Sequence, residues 1–69
     1  MNTDIRNYIL TNFKNTNPNE IKESIELSIK KGDEITLPGL GVCFELLWNN
    51  SSPTKQEDIL QTLNQIFNA

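Results

Sequence analysis

The side chains that could do chemistry here are few. The 69-residue sequence has nine carboxylates, six lysines and arginines, a single cysteine and no histidine. Carboxylates able to pair along a helix are Glu20 with Glu23, Glu23 with Glu26, and Glu57 with Asp58. Acid–base work needs a carboxylate desolvated in a cleft, and these pairs fall on faces that read as polar, so a solvated helix surface is the better reading. Ser24, Ser28, Thr36, Ser51 and Ser52 supply hydroxyls with no histidine to activate them. Lys30 and Lys31 precede Gly32 and read as helix-end residues opposing the macrodipole rather than as a catalytic amine or a phosphate contact.

Cys43 sits among Val42, Phe44, Leu46 and Leu47, where a thiol packs as a small hydrophobe and its thiolate is disfavoured. It has no second cysteine to bridge, which points to a reducing, intracellular setting, and a metal site would have to use carboxylates alone. Gly39-Leu40-Gly41 lacks the third glycine of a dinucleotide loop and the lysine and hydroxyl of a P-loop. The residue types therefore give no catalytic, cofactor-binding or metal-ligating set, and the chain is expected to be no enzyme and to carry no cofactor.

The net charge of −3 repels a phosphate backbone on average, so nucleic acid is an unfavoured partner. No run reaches membrane-spanning length, and the N-terminus combines no basic region with an apolar one.

What must position these residues is one apolar stretch and the amphipathic segments on either side. Asp33 to Trp48 gathers Ile35, Leu37, Leu40, Val42, Cys43, Phe44, Leu46, Leu47, Trp48 and the ring of Pro38. Read as a strand, it puts Val42, Phe44, Leu46 and Trp48 on one face and must expose Leu47 or bury Glu45. Read as a helix, it makes a stripe of Leu40, Cys43, Phe44, Leu47 and Trp48, with Gly41, Glu45 and Asn49 on a narrow wet edge. The helix leaves fewer contradictions. Pro38 suits its first turn, Ile35 and Leu37 fall in an extended connector before it, and Gly41 is read as a point of close backbone contact with another helix.

The flanks read as three further helices. The first covers residues 3 to 14, capped by Thr3 and Asp4, with Ile5, Tyr8, Ile9 and Phe13 at helical spacing and Leu10 widening the apolar face. Asn15-Thr16-Asn17 breaks it, because those side chains compete for backbone hydrogen bonds. The second runs from Pro18 to about Lys31, with Asn17 as cap, Glu20 in the first turn, Ile21, Ile25 and Ile29 on its apolar face, and Gly32 taking the left-handed position after the last turn. After the polar stop Asn49–Pro53, Thr54 and Glu57 have the spacing of a capping box. The last helix then runs to about Asn68, with Ile59, Leu60, Leu63, Ile66 and Phe67 on one side.

Short connectors favour antiparallel neighbours, so the expectation is one all-α domain over residues 1–69, a compact array of four short helices. The central helix should hide its bulk against three companions. Leu40, Phe44, Leu47 and Trp48 are the candidate core or interaction surface, through which the chain would self-associate. A domain this small buries a modest fraction of its surface and has neither disulfide nor metal to help.

The segment Leu37-Pro38-Gly39-Leu40-Gly41-Val42-Cys43-Phe44-Glu45-Leu46-Leu47-Trp48-Asn49 resembles the Leu-Pro-Gly-Leu-Gly-Val-x-Phe-Glu-x-x-Trp signature of the small acid-soluble spore protein I family of endospore-forming Firmicutes. The likeness extends upstream over Ile25 to Glu34, to the length, and to the acidic last helix, so it covers most of the chain; Cys43 replaces a residue that is usually aliphatic. It implies a minor protein made in the developing forespore and held in the spore core, that is, in the spore's cytoplasmic compartment. No molecular activity or functional residue comes with it, and the DNA-coating segments of the major spore proteins have no match here.

A second likeness is to the HU family of DNA-bending proteins. Lys31 to Glu45 resembles that family's helix end, strand and glycine-aromatic turn, which implies a sheet whose basic arms grip the minor groove. Leu46-Leu47-Trp48, an acidic helix and the lack of a basic arm depart from that pattern.

Overall fold

The computed structural model describes residues 4–69, and its element order is α1 (Ile5–Asn12), α2 (Pro18–Lys31), α3 (Thr36–Asn49) and α4 (Pro53–Phe67). The fold is all-α, as the periodicities require, and no strand occurs among the described residues. Residues 42–48 are wound into α3, so the sheet reading of that stretch, and the HU-like architecture built on it, fall away.

Local chemistry sets each boundary. Asp4 caps α1, its Oδ1 accepting from the Asn7 amide at 3.1 Å, while Thr3 lies outside the described residues. Past Phe13 the chain leaves the helix: Thr16 Oγ1 donates to the Phe13 carbonyl at 2.7 Å, and Asn15 adopts φ 66°, a left-handed conformation that asparagine tolerates. Asn17 caps α2 through the Glu20 amide at 2.9 Å. The Glu20 carboxylate takes the Asn17 side-chain amide at 3.0 Å rather than a backbone donor. Gly32 ends α2 at φ 55°.

Two helices start earlier than the sequence suggests. In α3 the Asp33 carboxylate accepts from the amides of Ile35 at 3.0 Å and Thr36 at 2.8 Å, so the turn forms ahead of the proline, and Leu37 is helical rather than extended. Pro38 still falls among the first four positions, whose N–H groups have no intrahelical partner. In α4 the cap is Ser52, whose Oγ accepts from the Lys55 amide at 3.2 Å, with Pro53 at the first helical position. Thr54 therefore lies inside the helix, and the Thr54–Glu57 capping box does not form.

Packing departs from the compact array. Helices α1 and α2 both lie against α3, whereas α4 makes no comparable packing with any of the three. It is tied to α3 at its base, where Gln56 Nε2 donates to the Trp48 carbonyl at 2.9 Å. The radius of gyration is 13.5 Å, against about 11 Å for a compact chain of this length. None of the described residues is fully buried. Helix α3 thus has two companions and a tether, not three companions.

Candidate functional site

Helix α3 is the hub, and its apolar residues divide between three surroundings. Leu40 and Trp48 are half-buried; Phe44 and Leu47 stay 44% and 52% exposed. Phe44 and Trp48, one turn apart, stack with ring centroids 6.1 Å apart and an interplanar angle of 25°. Leu47 forms, with Cys43 and Leu46, the α3 wall of an open groove of about 380 Å³. Ile9 and Leu10 of α1, Phe13 at its C-terminal cap and Ile21 of α2 complete the groove. Of the four candidate surface residues, Leu47 lines this groove, Phe44 and Trp48 stack on each other, and Leu40 is half-buried. Cys43 is a half-buried groove residue rather than a sealed core thiol.

A second, mostly apolar hollow lies where α1 meets the start of α3, between Ile5, Tyr8 and Ile9 on one side and Ile35, Pro38 and Gly39 on the other, with Glu34 also in its wall. The close approach at this crossing is at Gly39, where a Cβ would meet Ile9 Cδ1 at 3.6 Å, an ordinary contact. Gly41 faces open space, with nothing within 4 Å of where its Cβ would stand, so the expected helix contact at Gly41 is absent.

Glu45 is the only charge in α3, and it is not merely on a wet edge. It forms a two-pronged ion pair with Arg6 of α1, Arg6 Nη2 donating to Glu45 Oε1 at 2.7 Å and Arg6 Nε to Glu45 Oε2. The hydrogen bond from Arg6, then its positive charge, holds the Glu45 carboxyl below the usual carboxylate range. Arg6 is the residue that sequence reasoning missed. The available signal was a lone carboxylate in an otherwise apolar helix, which calls for a cation, and the arginine sits beside the apolar face of α1. On the α2 side, the Thr36 hydroxyl donates to Asp33 Oδ1 at 2.9 Å and lies 3.3 Å from the Ser28 carbonyl, joining the end of α2 to the start of α3.

The side chains that line the α1–α2–α3 groove are apolar throughout. Among the described residues no group of three His, Cys, Asp or Glu side chains is close enough to hold a metal ion. Glu20, Glu23, Glu26, Glu57 and Asp58 are all exposed. The Asp33 carboxyl, like that of Glu45, is held below the usual carboxylate range, through the Thr36 amide and then the Thr36 hydroxyl. Both become stronger acids, the opposite of what a general acid or base working near neutrality requires.

The comparisons with known proteins agree on one group. The profile described as "Small, acid-soluble spore protein I" matches residues 3–67. Proteins of that name are 38% identical to this chain in Bacillus cytotoxicus and 37% identical in a Geobacillus strain, each over 65 residues covering 94% of this chain and 93% and 92% of theirs. A third, from Bacillus velezensis, is 36% identical over 63 residues, 91% of this chain and 89% of its own. No solved structure matches the chain.

Proposed function

The chain belongs to the small, acid-soluble spore protein I family, and from that premise we propose that it is a minor protein of the developing forespore, retained in the spore core and acting by contact rather than by catalysis. The observation that carries this reading is the family match over residues 3–67, which includes all four helices and the apolar α3 at their centre. A contact role suits a surface that offers open apolar clefts.

The words "acid-soluble" in the relatives' name have a physical counterpart in this sequence. In dilute acid the nine carboxylates are neutralised while the six lysines and arginines keep their charge, so the chain carries a formal charge of +6. Charge of that size on so short a chain opposes association even after the native packing is lost.

The test is a tagged copy expressed from its own promoter and followed through growth and sporulation. The protein should be absent from vegetative cells, appear in the forespore, and come out of broken spores with dilute acid. Equal amounts in growing cells and spores would overturn the reading.

A further inference from the structure

Two of the apolar features that the fold leaves open to solvent are complementary in position along the chain. One is the α1–α2–α3 groove, in which Leu10 is 56% and Leu47 is 52% exposed. The other is the α4 stripe, in which Leu60, Ile66 and Phe67 are 51%, 62% and 77% exposed, with Ile59 and Leu63 half-buried between them. No α4 residue lines the groove. The connection holds the two apart: Asn50 Nδ2 and Ser51 Oγ bond the Leu46 and Leu47 carbonyls, Ser52 caps α4, and Gln56 bonds the Trp48 carbonyl.

We propose that two copies of this chain pair about a twofold axis, with the α4 stripe of each seated in the α1–α2–α3 groove of the other. Groove and stripe lie on the same molecule, so one isologous contact covers both on both copies and closes at two. The areas agree. The chain exposes 6049 Å², against about 4,400 Å² for a compact monomer of its mass. A standard interface removes about 800 Å² from each partner, which lies within that excess.

The pairing deepens the contact role proposed above and rests on it, yet the two fail separately. A monomer confined to spores overturns the pairing alone, and a dimer present throughout growth overturns the functional reading alone.

The test is the mass of the purified full-length chain by sedimentation equilibrium across a concentration series. The expected result is twice the 7.9 kDa chain mass, reached by about 100 µM. Leu10→Glu on the groove and Phe67→Asp on the stripe should each raise the dissociation constant at least about tenfold, with helical circular dichroism unchanged because both side chains are exposed. Mixing the two variants restores one intact groove–stripe contact and should recover association that neither shows alone. If either variant loses helix, Leu47→Glu or Leu60→Asp takes its place. A chain-mass species at every concentration, a dimer indifferent to both substitutions, assemblies that grow without closing, or a mixture no more associated than its components would each overturn the proposal.

Discussion

At the scale of single residues, the consequential contact is Arg6 with Glu45. The two side chains are 63% and 38% exposed, so water and salt screen the attraction, and its effect comes from two aligned hydrogen bonds rather than from burial. Arg6→Ala and Glu45→Gln should each lower the melting temperature at low salt. The double variant should fall no further than either single one, because both remove the same interaction. The loss should shrink towards about 1 M salt, where the Debye length is near 3 Å; a salt-independent loss would mean that packing of the arginine stem, not the ion pair, had been removed. Acid tests the same contact. Glu45 and Asp33 both have lowered pKa values in the fold, so their contribution is fully present above the unfolded carboxylate range near 4 and is lost as pH falls through their lower native values. Melting temperature should therefore hold between about pH 7 and 5 and decline below that. In an Asp33→Asn, Glu45→Gln chain the decline should be shallower.

At the scale of the helices, glycine separates what the sequence told from what it hid. Gly32 has φ 55°, so Gly32→Ala forces a side chain into the left-handed region and should destabilise by about 1 kcal/mol. Gly41 lies inside α3 with nothing near its missing Cβ, so Gly41→Ala should instead stabilise, by up to about 1 kcal/mol. Thermal melts of the two variants should move in opposite directions; a destabilised Gly41→Ala would restore the close helix contact read from the sequence. Asn17-Pro18, Gly32 and the α3 stripe were legible because caps, left-handed turns and 3.6-residue periodicity are local properties of a few neighbouring side chains. The early start of α3 was not, because it depends on the Asp33 carboxylate reaching two amides ahead of Pro38, a choice among several available local bonds. Nor was the unequal cover of Leu40, Phe44, Leu47 and Trp48, of which Phe44 and Leu47 stay the more exposed: a stripe tells which residues share a helix face, not which part of that face a neighbour covers. Leu47 shows the energetic result. Half-exposed in the groove, it should lose about 1 kcal/mol on Leu47→Ala rather than the several expected of a sealed core leucine.

At the scale of the whole molecule, shape and charge together decide what the chain can hold. Its open build leaves two apolar clefts beside α3, so contact is available to other apolar surfaces. Polyanions are in a different position. Duplex binding draws on lysines and arginines that track the phosphates and release counterions, and here the six cations are dispersed. Arg6 is engaged by Glu45, Lys30 and Lys31 close the C-terminal end of α2 with only Gly32 between them and Asp33-Glu34, and Lys55 is separated from Glu57-Asp58 by Gln56 alone. No strand pair projects a basic arm among the described residues, which removes the geometry by which an HU-like protein enters the minor groove. Duplex DNA should accordingly show no saturable binding up to about 100 µM protein at 150 mM salt, the weak end of ordinary non-specific affinity. Fluorescence anisotropy of a labelled duplex, titrated at 50 and 150 mM salt, is the measurement. Micromolar affinity that weakens steeply between those salts would mean that the dispersed lysines converge in an assembly of chains, and that the contacts this protein makes in the spore include the nucleoid.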